Sequence, residues 1–450
     1  MNIIIIGVGK VGETLLQNFI RESHDVTIVD KDYKLVERLV NLYDVRGIVG
    51  SGLERDILED ASILEADVML ACTNRDELNI LACVLAKKLG ANYVIARVRD
   101  PECFNEIENL KDSLGLDLVF NPERRTAMEI ADVLKFPSAR NVESFASGKG
   151  IMAEFYVDKK SILNDMSIID ISKSMPSKVL FGLVVRDGKT FIPHGDYIFR
   201  AGDYVHLIGD EKGVSLFFKW IKIYKSRAKS VMLLGGGKVG FYLAQELIGN
   251  GVDVKIIESD QNRCQDLAQQ LPKATVICGD GTDQDLLKEE GISNCDAFVA
   301  LTGLDESNAM ISLYANSLGV HKVITKVNGL SILNMAKGLG LETIVSPRIA
   351  IANHILKFIR THKTDKVGVI NTYYKLNDKA EALEFLIDDK FKYLNIPLKT
   401  LSMRKESLIG GIVRGEDFIL PSGDTTIQEG DKVIIVTGVK QITQLEQIFK

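Results

Sequence analysis

Over residues 1–120, short apolar runs alternate with longer segments whose apolar residues recur at helical spacing. Residues 2–6, 26–30, 46–49, 68–72, 93–98 and 116–120 predict strands, and the gaps between them predict amphipathic helices. Short strands buried on both faces and joined by helices imply right-handed crossovers. The expected result is an α/β doubly wound parallel sheet of Rossmann-like type. Residues near 152–157 and 204–208 instead alternate polar and apolar between Asp-Gly and Gly-Asp turns, which predicts a small α+β module with little helix beyond its last segment.

The pattern then repeats. Strand signals return near Val231, Val254, Thr275, Ala297, Val323 and Thr343. Gly50-Ser51-Gly52 is answered by Gly279-Asp280-Gly281, and Thr73, Asp76, Glu77 and Asn79 by Thr302, Asp305, Glu306 and Asn308. Arg97 meets Lys326. In the small modules Gly182, Arg186, Pro193, Gly195, Asp196, Gly202, Asp203 and Val205 recur as Gly410, Arg414, Pro421, Gly423, Asp424, Gly430, Asp431 and Val433. A long-period duplication of this kind sets the architecture: a large and a small unit, twice. The boundaries read as 1–123, 142–226, 227–348 and 367–450, with linkers at 124–141 and 349–366. Within the linkers, residues 124–136 and 349–360 predict single amphipathic helices, each able to pack on its own sheet or to cross to another subunit. The basic stretch 219–229 reads as a solvated linker.

Chemistry is concentrated after the first strand of each large unit. Gly7-Val8-Gly9-Lys10-Val11-Gly12 recurs as Gly235-Gly236-Gly237-Lys238-Val239-Gly240, and an acid closes the next strand in both, Asp30 and Glu258. The first glycine permits a tight turn, the second lets backbone approach a pyrophosphate, and the third lets helix pack on strand. A phosphate then meets the free N–H groups of a helix N-terminus.

Composition removes alternatives. A net charge of -6 with no basic stripe argues against a general nucleic-acid binder. The six cysteines form no CxxC pair and lie in or beside apolar elements, so they read as buried free thiols of a reducing compartment. No apolar run approaches the ~20 residues of a membrane helix, and a strand signal directly after Met1 leaves no signal peptide, so a soluble intracellular protein is expected.

Together the paired glycine loops, the acidic strand ends, Gly-Asp-Gly-Thr at 279–282, the proline-started helices at Asn121-Pro122-Glu123 and Ser346-Pro347-Arg348, and the Pro-x-Gly-Asp modules resemble the RCK domains of potassium channels and transporters. The tandem double copy resembles the regulatory subunits of bacterial Trk potassium-uptake systems. The resemblance implies two RCK N-terminal domains, each followed by a small RCK C-terminal domain, binding NAD(H) or ATP/ADP. It further implies a homo-oligomeric ring, a tetramer, peripheral on the inner face of the membrane and gating an integral-membrane potassium transporter or channel subunit of the TrkH/TrkG kind. The site residues it implies in the first half are Gly7, Val8, Gly9, Lys10, Val11, Gly12, Asp30, Ser51, Gly52, Thr73, Asn74 and Arg97. In the second half they are Gly235, Gly236, Gly237, Lys238, Val239, Gly240, Glu258, Asp280, Gly281, Thr302 and Lys326. The glycines would hold phosphates and Asp30 the ribose hydroxyls. Lys10 reads either as a phosphate partner or as an exposed helix-start lysine, and Thr73 either as a crevice residue or as a helix cap.

Two departures separate the halves. Ser51 and Leu53 stand where the second copy keeps Asp280 and Thr282, so the two sites are expected to differ. Glu123 matches a glutamate that binds a divalent cation in some relatives, but Arg348 replaces it in the second copy. No metal is therefore assigned, and Glu123 reads as complementing a helix N-terminus. A nicotinamide-dependent oxidoreductase is the rival reading, since it shares the glycine loop and the acid. It lacks a catalytic partner: His24, His194, His206, His321, His354 and His362 are scattered, and no motif places one beside a substrate.

Overall fold

The computed structural model describes residues 1–224, 226–363, 369–374, 380–439, 442 and 444–450, so parts of the expected second linker, the second small module and the basic stretch lie outside the described residues. Two compact units are distinguished, one of residues 1–126 with 346–359 and the other of 127–345 with 360–450.

In the first unit six strands, β1 (Asn2–Ile6), β2 (Asp25–Asp30), β3 (Arg46–Val49), β4 (Val68–Ala71), β5 (Tyr93–Arg97) and β6 (Leu118–Phe120), form one sheet in the order β3-β2-β1-β4-β5-β6. All its pairings are parallel. Four successive isoleucines of β1 are buried because a central parallel strand has helices on both faces. The chain order reverses between β1 and β4, and this switch point lies beside the glycine loop. The helix Pro347–Lys363 contributes to this unit through Ile359. Its Ala350, Ile351, Ile355 and Ile359 are buried, and Phe358 meets Tyr93 edge-on at 6.0 Å.

The second unit repeats the parallel sheet with strands Thr275–Cys278, Asp253–Glu258, Ser230–Leu234, Ala297–Ala300, Lys322–Lys326 and Thr343–Val345 in that lateral order. The helix Pro122–Lys135 buries Ala127, Ile130, Ala131, Val133 and Leu134 in one cluster with Val231, Leu233, Leu243 and Leu247. Each linker helix therefore packs with the sheet of the other half of the same chain. It does not fold back on its own sheet. The physical reason is that duplicated sheets present similar apolar faces, and a tethered second copy sits at high effective concentration.

Both small modules belong to the second unit and carry five-stranded sheets. Phe145, Met152, Leu183 and Ile208 of the first share a core with Ala380, Ala382, Ile434 and Val436 of the second. Close approach explains two recurring glycines: a Cβ at Gly182 would lie 2.9 Å from the Ile208 side chain, and one at Gly410 only 2.5 Å from it. Two more helical features differ from expectation. A helix, Ile168–Ser174, forms inside the first module because the Ser167 hydroxyl caps the Asp170 N–H at 3.1 Å. The last segment is a helix, Glu211–Trp220, in the first module, whereas among the described residues of the second it includes a 3₁₀ turn, Leu445–Ile448.

Recurring Arg and Asp residues of the modules form ion pairs. Asp203, fully buried, accepts from Arg186 Nε and a terminal nitrogen at 2.6 and 2.7 Å, and Asp431 is held by Arg414 at 2.8 and 2.9 Å. Asp203→Ala is expected to cost about 2 kcal/mol, less than for a fully buried pair because Arg186 keeps a quarter of its surface in water. Thermal unfolding checks this, and an unchanged midpoint would remove the structural role.

Among the described residues no helix is long and apolar enough to cross a membrane. All six cysteines are free, but not all are buried: Cys278 is exposed, and Cys103 and Cys295 are partly so. Cys278 ends an edge strand, which has a neighbour on one side only.

Candidate functional site

The glycine loop leaves β1 with Gly7 at φ +85°, its N–H bonded to Val29 O at 2.8 Å. A side chain there would strike Thr73 backbone at 2.7 Å, and one at Gly12 would lie 2.4 Å from Gly7 O. Internal packing thus accounts for the first and third glycines. It does not account for Gly9, where a Cβ would meet nothing within 4 Å. Gly9 is exposed and caps the helix Lys10–Arg21 without a side-chain hydrogen bond. Backbone N–H groups therefore face open space at the positive end of a helix dipole.

Asp30 stands across this mouth, accepting from Val8 N at 2.9 Å and Asp32 N at 3.0 Å. One bond per oxygen leaves lone pairs for further donors. The Val8 side chain is wholly buried, so Val8 can meet a ligand through its backbone alone. Lys10 is exposed, as is Asn74 on the turn after β4.

The turn after β4 is held from behind. Asn79, fully buried, accepts from Thr73 N at 2.8 Å and the Thr73 hydroxyl at 2.7 Å, and donates to Thr73 O and Arg97 O. Thr73 is thus not the cap of the following helix, which begins after Arg75. Asp76 receives Arg99 N and Asp100 N at 2.8 and 2.9 Å, pinning the turn after β5. These two residues recur as Asn308 and Asp305 with the same partners in kind. Their recurrence is visible in the sequence but their role is not; a polar residue repeated inside a helix is the available signal.

Arg97 is 8 % exposed; it donates to Thr73 O at 2.7 Å while its Nε has no partner, and burial lowers its pKa. Lys326 in the second half donates to Leu301 O at 2.9 Å. Glu123 sits in the first turn of its helix and is paired with Arg99 at 2.7 Å.

The second crevice keeps the frame. Gly235 has φ +101°, a Cβ at Gly240 would lie 2.3 Å from Gly235 O, and one at Gly237 meets nothing within 4 Å. Glu258 accepts from Gly236 N, Ser259 N and Asp260 N at 2.8, 2.8 and 3.0 Å. Lys238 is exposed and Val239 buried. Differences lie at the rim. Asp280 accepts from the N–H and hydroxyl of Thr282, which hold its carboxyl below the usual range, whereas Ser51 is buried and its hydroxyl accepts a long bond, 3.4 Å, from Leu53 N. Gly52 and Gly281 would each drive a side chain into the first strand, at Ile6 and Leu234.

Residues 3–122 and 231–347 match the TrkA-N domain family, and residues 152–222 and 382–450 the TrkA-C domain family. The chain belongs to the TrkA family. It is 33% identical over 450 residues to the Trk system potassium uptake protein TrkA homolog of Archaeoglobus fulgidus, covering all of both chains. It is 31% identical to the Trk system potassium uptake protein TrkA of Haemophilus influenzae, over all of this chain and 99% of that one. Among solved structures, the GsuK channel bound to NAD superimposes with a TM-score of 0.63 at 17% identity, over 99% of this chain and 78% of that one. GsuK bound to ADP gives 0.52 at 15% identity, over 81% and 70%. At such identities the likeness is one of fold. It bears out two tandem Rossmann-like TrkA-N domains, each followed by a TrkA-C domain.

Proposed function

We propose that this TrkA-family chain is a cytosolic regulatory subunit of a Trk-type potassium uptake system. It binds NAD(H), ADP or ATP in both crevices and acts as a homo-oligomeric ring, a tetramer, on an integral-membrane potassium-translocating partner. The observation that carries this reading is the second glycine of each loop, Gly9 and Gly237, which no internal contact demands and which fronts an uncapped helix N-terminus. An anion with a backbone-wide approach fits there, and the acids Asp30 and Glu258 favour a ribose with free hydroxyls over a 2'-phosphate. The remaining site residues keep the roles the resemblance implies, the buried Val8 and Val239 through backbone alone. The oxidoreductase reading is weaker, because none of the residues placed around either crevice is a histidine, and Lys10 and Lys238 stand at the helix starts where phosphate is expected.

Co-purification from membranes tests the proposal. A potassium-translocating membrane protein and bound adenine nucleotide are expected with the chain. Recovery without either, or steady NADH turnover with carbonyl substrates, would overturn it.

A further inference from the structure

Beside the second crevice lies a pair of thiols that the proposed function does not use. Cys264 is in the helix Gln261–Gln270, and Cys278 ends the edge strand Thr275–Cys278. The Cys264 thiol reaches Glu258 O at 3.3 Å, and Glu258 is the register partner of Cys278, which brings the two thiols close enough for Cys278 to help push the Cys264 thiol up. One thiol is shielded and the other open: Cys264 is 7 % exposed, whereas Cys278 faces solvent. Val36 and Val49 occupy the matching places in the first half. Val36 and Cys264 each donate their backbone N–H to the Asp that caps their helix, Asp32 and Asp260, and Asp30 pairs with Val49 as Glu258 pairs with Cys278. The pair therefore belongs to one crevice only.

We propose that Cys264 and Cys278 form a reversible intramolecular disulfide that makes the second crevice, and not the first, responsive to redox state. The accessible Cys278 thiolate attacks one sulfur of a low-molecular-weight disulfide, forming a mixed disulfide and releasing one small thiol. Cys264 then loses its proton to solvent and attacks the Cys278 sulfur, which releases the second small thiol. The two protein thiols are oxidised by two electrons and the small disulfide is reduced by two. This order follows from access and ionisation, since burial, the contact with Cys278 and nearby carboxylates push the Cys264 thiol up to about 12, making it a poor first nucleophile. In a reducing compartment such a bond is transient, which suits a sensor.

The consequence rests on the nucleotide reading. A disulfide draws the two sulfurs to about 2.05 Å of each other. The end of the strand and the Gly279-Asp280-Gly281 turn follow it toward the helix. Both adjoin Glu258, so the ribose end of the site is displaced by a distance that geometry-sensitive binding feels.

The test uses the full chain treated with glutathione disulfide and mapped by non-reducing peptide mass spectrometry. A Cys264–Cys278 crosslink is expected, lost in Cys278→Ser and reversed by dithiothreitol. In the Gly9→Asp background, where only the second crevice titrates, oxidation is expected to weaken NADH or ADP binding about tenfold. Glutathione on Cys278 with no crosslink overturns the proposal, and a crosslink with unchanged affinity overturns its regulatory half. If the reduced protein binds no nucleotide, the function reading and the regulatory consequence both fall, while the crosslink still decides the disulfide.

Discussion

Gly9→Asp is expected to abolish nucleotide binding in the first crevice, and Gly237→Asp in the second, with the fold intact in both. A loss on the order of 100-fold, ~2.7 kcal/mol, is the minimum anticipated, because a side chain and a negative charge enter where backbone must meet phosphate. The fold persists because a Cβ at either position meets nothing within 4 Å. Gly12→Ala is the contrasting case, with its Cβ 2.4 Å from Gly7 O, and should destabilise the protein by about 1–3 kcal/mol. Calorimetric titration beside thermal unfolding separates the two effects; unchanged titrations of both Asp variants would sink the nucleotide assignment. The same variants isolate each site. Distinct dissociation constants are expected for at least one of NADH, ADP and ATP, since Arg97 offers a bidentate fork where Lys326 offers a point charge, and Ser51 stands where Asp280 is an anion.

How the glycine loop could be read in advance, and the linker helices could not, has one physical cause. The φ of +85° at Gly7 and the approach of Gly12 to Gly7 O at 2.4 Å are both set within the loop and its helix, so a local motif carries these constraints. The strands were legible for the same reason: 2–6 and 46–49 coincide with β1 and β3, and residues 68–72, 93–98 and 116–120 miss only at their ends, where ladder bonds stop. Ile130 and Ile355 also announce a buried stripe. A stripe does not name the sheet that covers it, and a duplicated chain supplies two similar sheets. Choice between them lies in tertiary packing, beyond any window of sequence.

The small modules divide in the same way. Arg186 with Asp203 and Arg414 with Asp431 recur because each pair is one ion pair on a buried carboxylate, a meaning that repetition signals and only geometry identifies. The helix Ile168–Ser174 is too short for periodicity to stand out, and only its Ser167 cap marks its start. At the crevice, Asn79 and Asp76 were visible as repeats while their work, clamping two turns through backbone groups, depends on residues far along the chain. Cys278 reads as buried from its apolar neighbours, because nothing local tells an edge strand from a central one.

Potassium flux through the reconstituted membrane partner is expected to respond to ADP, ATP or NADH only when this chain is present. A ligand shifts a gate solely by its difference in affinity for two shapes of the assembly. Moving a gate from 1:99 to 99:1 takes a preference of about 10⁴-fold, ~5.5 kcal/mol. In the proposed ring, two crevices per chain would divide that load into modest preferences at each site. The linker helices are the candidates to carry it: Pro122–Lys135 leaves the first sheet directly after β6 yet buries its stripe with the second sheet, and Pro347–Lys363 does the converse. A nucleotide that shifts the turn after β5 pulls on Arg99, whose partner Glu123 opens the first of these helices. Arg99→Ala is accordingly expected to leave nucleotide affinity within a few-fold while blunting the flux response. Equal flux with and without the chain, across all three nucleotides, would mean that this protein is not the gate's regulator.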